Sequence, residues 1–356
     1  MIITLRKVAT GLIFVCTTAL FVLFILFDSY TWGKYVLLGL SACILLFGIG
    51  ITHSKIILKF NPYAALNILF IVFVLLSSMW AIDASDSVIM ARTLMRIFVC
   101  AYAVYITYLS IPELDETVLL KAVMWAGYIV AIYSLAFSGI DEMVSAGSNS
   151  SLRIESEFSN VNTIGLACAL SCVLQINLRN LCPKDHFFPS ALFMIPSIIV
   201  LAATQSRKAL VFFIVGALGY AVVKAQESKK SLFIKTVKIL FGILILALLI
   251  YWLLQLEAFT GVRERMEGVI NAVFGNGKVD SSTIKRSNLR ALGIEWFLKH
   301  PFAGIGIANP HILTNQYYAF DAYLHDNFVE LLCGGGIIGF SLYFYVCISV
   351  LATMEL

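Results

Sequence analysis

The sequence predicts an all-α integral membrane protein with about ten transmembrane helices and one long extracytoplasmic loop between the last two. Three observations carry that reading. The first is composition: of 356 residues, 60% are hydrophobic and 13% charged, against roughly 45–50% and 25% in soluble domains, and the mean hydropathy is +0.91. A 39.4 kDa globule has too little interior for so much apolar area, so lipid must solvate most of the surface. The second is the recurrence of apolar runs near the 20 or so residues that a helix needs to cross the hydrocarbon core. The third is a lysine distribution between loops that follows the positive-inside rule. The same composition excludes a disordered chain, a coiled coil and a collagen-like fibre. A secreted disulfide scaffold is excluded too, because seven of the eight cysteines (Cys16, Cys43, Cys100, Cys168, Cys172, Cys333, Cys347) lie in apolar runs and Cys182 lies in a short polar loop.

Taken in order, the runs fall near 8–27, 35–52, 63–82, 94–111, 118–138, 161–178, 187–204, 209–223, 237–256 and 328–352. The first is too long for the core of a cleaved signal, and no small-residue cleavage site follows Phe27. With the N-terminus inside, the inner segments carry Arg6 and Lys7, then Lys55 and Lys59, then Arg179 and Lys184, then Lys224, Lys229, Lys230, Lys235 and Lys238. The 112–117 turn, with Glu113, Asp115 and Glu116, is the exception. Topology thus divides the chain into membrane helices with short loops (1–256), an extracytoplasmic, periplasmic loop (257–327) and a last helix with the C-terminus (328–356). Three outer segments are long enough to hold chemistry: 83–93, 139–160 and the stretch ending at Asn327. Within the last, Leu289, Leu292, Trp296 and Phe297 recur at i, i+3, i+7, i+8, while Arg286 and Arg290 share another face. This predicts an amphipathic helix along the interface or over a cavity. No internal repeat of the transporter kind is present.

Lysine and arginine part company. By this topology ten of the fifteen lysines lie inside, yet eight of the ten arginines lie outside: Arg92, Arg96, Arg153, Arg207, Arg263, Arg265, Arg286 and Arg290. Arginine's planar fork binds phosphate and carboxylate oxygens in pairs, whereas lysine is a mobile point charge. Arg92 and Arg96 also fit as residues reaching lipid headgroups from a span end. The set as a whole points to an anionic ligand on the outer face. Arg207 is the sharpest case, because the turn Thr204-Gln205-Ser206-Arg207-Lys208 is too short to let it leave the membrane surface.

Of the five histidines, His53 and His186 read as cytoplasmic loop residues and His300 as a structural residue beside Pro301. His325 stands apart, at the outer boundary of the last span in Tyr323-Leu324-His325-Asp326-Asn327-Phe328, next to a carboxylate that can orient it. It is the candidate general base. Asp83 and Asp86 read as a solvated loop pair, and the run Gly334-Gly335-Gly336 with Gly339 as a close-packing surface. No metal-binding, nucleophile-elbow or phosphate-loop motif occurs, so no metal and no cofactor are expected.

Four blocks share one side of the membrane and a fixed order. They are Arg153-Ile154-Glu155-Ser156-Glu157-Phe158-Ser159-Asn160-Val161-Asn162; Thr204-Gln205-Ser206-Arg207; the stretch from Arg286 to His300-Pro301-Phe302-Ala303-Gly304-Ile305-Gly306; and His325-Asp326-Asn327-Phe328 through Gly336-Ile337-Ile338-Gly339-Phe340. Together they resemble the O-antigen ligase and O-antigen polymerase superfamily, multispanning bacterial enzymes that join lipid-diphosphate-linked glycans outside the cytoplasmic membrane. Two departures stand out. Asp326 replaces the family's usual asparagine, and members commonly continue with further spans where this sequence stops at Leu356.

The resemblance implies a site and a reaction. Arg207, Arg153 and Arg286 would clamp the diphosphate of an undecaprenyl-type donor, with Arg290 placed there by charge alone. His325 would take the proton of an acceptor sugar hydroxyl as it attacks the anomeric carbon, inverting its configuration without a metal. The expected partners are the lipid-linked glycan donor, a glycan acceptor and the bilayer, with a chain-length regulator as a candidate and no nucleic acid. The residues from Asp326 to Ile337 look closer to repeat-unit polymerases of O-antigen or capsule loci than to ligases that use lipid A core. A transporter or flippase of lipid-linked glycans is the alternative from another class, but it should carry charges at mid-span or discontinuous helices at matching positions, and the span cores here are mostly uncharged.

Overall fold

A computed structural model describes residues 2–53, 55–59, 61–139, 160–179, 189–227 and 281–353, with scattered helical positions between 242 and 263. All regular structure among the described residues is helical: α1 (Ile2–Phe27), α2 (Thr31–Thr52), α3 (Pro62–Ser77), α4 (Ala84–Ser110), α5 (Glu116–Ser138), α6 (Val161–Leu178), a 3-10 turn (Ala191–Phe193) running into α7 (Met194–Thr204), α8 (Arg207–Glu227), α9 (Ser281–Lys299), α10 (Pro310–Tyr318) and α11 (Asn327–Thr353). Six described helices, α1, α2, α4, α5, α6 and α11, are long and apolar enough to cross a membrane, while α3 and the stretch ending in α7 are apolar but shorter. The all-α membrane class expected from composition is the observed one. The expected span 237–256 lies outside the described residues apart from scattered helical positions.

Two boundaries move. The expected third span, 63–82, stops as a helix at Ser77, and the expected fourth begins at Ala84 rather than near 94. Apolarity marks where a helix enters lipid, but capping marks where it starts. Asp83 Oδ1 accepts the Ser85 N–H at 2.8 Å, and Asp86 adds a carboxylate to the first turn, both favourable at a helix N-terminus. The expected outer loop 83–93 is therefore mostly the first turns of α4.

The chain forms two compact units, one of residues 1–56 and 107–276, the other of 57–106 and 277–356. In the first unit, Leu26, Val130, Ala131, Ile164, Cys168, Val200 and Ala203 make the core. Small residues let its helices close: a Cβ on Gly127 would lie 1.8 Å from Ser171 Oγ, and one on Gly165 would lie 2.8 Å from Thr204 Oγ1. Close approach matters because lipid gives helix pairs no hydrophobic drive. One buried polar chain is answered internally, with the Tyr128 hydroxyl bonded to Gln175 Oε1 and Gln175 Nε2 donating to the Pro189 carbonyl at 3.0 Å. The acidic 112–117 turn that breaks the lysine pattern is paired, since Arg6 meets Glu113 at 2.9 Å, although an exposed pair of this kind adds little stability.

The second unit is organised around a broken helix. Within α11, Gly336 adopts φ 59° and ψ −164°, a region open in practice only to glycine. The break frees backbone groups that an intact helix would satisfy, and the segment after α9 takes them up. Ile305 and Gly306 donate to the carbonyls of Cys333 and Gly334 at 3.0 and 2.9 Å, and Ile337 and Ile338 donate to those of Pro301 and Phe302 at 2.8 and 3.2 Å. Backbone lies on backbone: a Cβ on Gly304 would meet Gly334 at 2.4 Å and one on Gly336 would meet Phe302 at 2.3 Å. The glycine run thus does more than pack helices, because it opens one. On the other flank a Cβ on Gly339 would sit 2.7 Å from Phe73 of α3.

Replacing Gly336 with alanine combines a disallowed backbone with a main-chain clash and should destabilise the folded protein by at least about 2 kcal/mol. Gly39→Ala in α2, where a Cβ meets open space, should leave stability unchanged or raise it by up to about 1 kcal/mol. Thermal unfolding of the purified protein in detergent reads both, and a G336A variant as stable as the parent would contradict the broken-helix account.

Candidate functional site

The site in the second unit is built on one buried amide. Asn309 is fully buried and follows the segment paired with α11. Its Oδ1 accepts the Asp83 N–H at 2.6 Å, while its Nδ2 lies 3.1 Å from the Asp83 carbonyl, 3.3 Å from Ser87 Oγ and 3.2 Å from the Ile307 carbonyl. Ser87 Oγ donates to the Ile307 carbonyl at 2.8 Å, and the Ile307 N–H donates to Ser77 Oγ at 3.2 Å. The ends of α3 and α4 are tied in this way to a loop more than 200 residues away. The Ser85 hydroxyl and N–H on the Asp83 carboxylate hold it below the usual carboxylate range.

Pro310 then starts α10, with its fixed φ suited to a first helical position. His311 reaches back, with Nδ1 2.8 Å from the Ala308 carbonyl and Nε2 3.4 Å from Asp86 Oδ2 on α4. Both ring nitrogens face oxygen atoms, which ties α10 to the first turn of α4. Thr314 Oγ1 gathers the next loop, lying 3.1 Å from the Phe320 carbonyl and 2.8 Å from that of Ala322, and accepting the Ala322 N–H at 3.1 Å.

That loop delivers His325 to the head of α11. Leu324 is fully buried among Leu289, Leu292, Ile305, Leu313, Val329 and Cys333. His325 is half-buried, and its ring lies 4.2 Å from that of Tyr323. Its φ is 58°, the left-handed region that a residue with a Cβ enters at a cost of about 1–2 kcal/mol. Strained backbone of this kind persists where surrounding structure over-determines it, and such places concentrate at functional sites. Asp326 closes the turn, its Oδ1 accepting the N–H of Phe328 at 3.0 Å and of Val329 at 3.3 Å. Aspartate and asparagine cap helices equally well, so the departure at this position leaves the turn intact.

The other sequence-derived candidates are distributed as follows. Arg286 and Arg290 are exposed on α9, while Leu289 and Leu292 of the same helix are buried and Trp296 packs on their cluster. The α9 backbone comes close to the loop because Gly293 leaves room; a Cβ there would lie 2.5 Å from Leu324 Cδ1 and from Val329 Cγ1. Arg207 is the first residue of α8 in the other unit, half-buried after the buried turn Thr204-Gln205-Ser206 in which Gln205 has φ 48°. Arg153 lies outside the described residues. His300 ends α9 with its ring stacked on Trp296 at 5.8 Å. Sequence reading passed over Asn309, His311 and Glu330, and took Asp86 for a solvated loop residue, whereas it lies in the first turn of α4 facing His311. Only Glu330 carried a signal, as the single charged residue of α11 in a segment where lipid makes charge costly. Among the described residues no group of three or more His, Cys, Asp or Glu side chains is placed to hold a metal ion.

These features define an all-α membrane protein with a histidine held in a strained turn at the head of a broken helix. Comparison with known families matches residues 192–344, somewhat less than half of the chain, to the family described as O-antigen ligase, in agreement with the O-antigen ligase and polymerase superfamily that the four sequence blocks resemble. The matched stretch takes in Arg207, α9, His325 and the glycine break. The match supports an O-antigen ligase or polymerase type of function in a membrane. No curated protein and no solved structure matches the chain.

Removing the Asn309 amide leaves the Asp83 N–H and carbonyl without the partner that ties them to this loop. Asn309→Ala should cost roughly 2–4 kcal/mol, and Asn309→Asp at neutral pH should cost at least as much, because it sets a carboxylate against the Asp83 and Ile307 carbonyl oxygens. Chemical or thermal unfolding in detergent measures both; near-native stability of N309D would show that the amide does not tie this frame.

Proposed function

We propose that the chain joins undecaprenyl-diphosphate-linked oligosaccharides outside the bacterial cytoplasmic membrane, as a repeat-unit polymerase of the O-antigen or capsular kind. The reading is supported above all by the family match over a stretch in which a histidine is held in a left-handed turn at the head of an apolar helix. His325 takes the proton of the acceptor hydroxyl, that oxygen attacks the anomeric carbon, and the lipid diphosphate departs with the bonding electrons. The displacement inverts the anomeric configuration and calls on no metal. Arg207, Arg153, Arg286 and Arg290 hold the diphosphate, and their forked, charge-assisted hydrogen bonds gain strength as the leaving group gains charge. Exposure of Arg286 and Arg290 on α9, and the place of Arg207 at a helix N-terminus, suit anion binding. Residues 257–327 face the extracytoplasmic side, between the membrane helices of 1–256 and the last helix of 328–356, and a chain-length regulator acts alongside.

The family description favours a second reading with the same bond-forming step, in which lipid A core is the acceptor. A glycan gel of a deletion strain separates the two: capped single repeats indicate a polymerase, and long polymer left on its lipid carrier indicates a ligase.

His325→Ala and Arg207→Lys should each abolish polymer while leaving the protein inserted at parental abundance. A normal glycan ladder in either strain would remove the role given to that residue.

A further inference from the structure

The turn that carries His325 is fixed from an unexpected direction. Glu330 lies one turn into α11, and its carboxylate Oε2 accepts the N–H of Leu324 at 2.7 Å. Its own N–H donates to the Asp326 carbonyl at 2.8 Å. One residue therefore holds the chain immediately before His325 and immediately after it. The side chain of Leu324 is buried in the apolar cluster, so that residue is pinned at both ends, and the Asp326 carboxylate is committed to capping Phe328 and Val329. His325 alone must absorb the change of direction, and it does so with φ 58°.

A carboxylate at the head of an apolar membrane helix is expensive. Helix capping is already done by Asp326, so Glu330 is not needed to start α11. What its side chain adds is a short hydrogen bond from the Leu324 N–H, just ahead of His325. Without that bond the buried Leu324 N–H would be orphaned, and the turn could relax to a right-handed form that aims the imidazole elsewhere.

We infer that Glu330 is a positioning residue for glycosyl transfer, holding the peptide before His325 so that the imidazole stays aimed at the acceptor hydroxyl. This rests on the reading of His325 as the base. A misplacement of about 1 Å is enough to cost on the order of 100-fold in rate.

The test uses the full-length protein in lipid nanodiscs with lipid-linked repeat units extracted from the deletion strain. Glu330→Ala should lower kcat per folded molecule by about tenfold to 100-fold with donor KM changed less than about twofold. Glu330→Gln, whose amide oxygen can still accept the Leu324 N–H, should recover most of that loss. Hydrogen exchange at the Leu324 amide should speed up in E330A and return towards the parental rate in E330Q. An E330A variant with parental kcat, unchanged Leu324 exchange in E330A, or an E330Q variant as slow as E330A would each overturn the proposal. Activity in H325A would instead overturn the assignment of the base, whereas an inactive H325A beside a fully active E330A would overturn the positioning role alone.

Discussion

In a membrane helix every peptide group must find a partner inside the protein, since the hydrocarbon core offers no water to take its place. That constraint shapes the second unit. Gly336 breaks α11, and the carbonyls of Cys333 and Gly334 with the N–H groups of Ile337 and Ile338 are left for the 301–306 segment to satisfy. The arrangement is possible only where both strands of backbone lack side chains at the crossing, which accounts for glycine at 304 and at 336. Once the segment is seated, Asn309 falls beside the ends of α3 and α4, Pro310 starts α10, and the loop after α10 returns to α11 with its histidine in place. The two glycine-bearing motifs that looked independent in the sequence are two sides of one contact.

Composition announced the fold class, because no soluble interior could hide 60% hydrophobic residues. The amphipathic spacing of Leu289, Leu292 and Trp296 identified α9 and the side it buries. Helix boundaries were less visible, since hydropathy registers depth in lipid while Asp83 and Asp86 set the start of α4 through hydrogen bonds and charge. His325 was singled out by its place at a span boundary, and the structure sets it in a left-handed turn there. Asn309 was not legible. Its partners Asp83 and Ser87 are 226 and 222 positions away in sequence, and no local pattern encodes a pairing across that distance. Asp86 with His311 is the same case, whereas Glu330 was visible as a charge in an uncharged span and needed only the cost of that charge to be taken seriously.

A rigid mount for one imidazole suits the chemistry proposed. Deprotonating a sugar hydroxyl as it attacks an anomeric carbon calls for a base held at hydrogen-bond distance from a mobile acceptor, and a loop at a membrane surface is a poor place for such precision unless it is tied down. Here it is tied through Thr314, through the buried Leu324 side chain and through the cap on α11. Polymerase and ligase share this bond-forming step and differ in the acceptor presented to it, so one mount serves either substrate.

The central claim is that this chain by itself forms the glycosidic bond. The measurement that tests it most directly is reconstitution of the purified protein in liposomes with an undecaprenyl-diphosphate-linked repeat unit as the sole substrate, following glycan length, free lipid diphosphate and the sidedness of the donor. The account predicts a ladder of products with one undecaprenyl diphosphate released for every bond formed. Movement of the donor across the bilayer with no bond formed and no diphosphate released would contradict it.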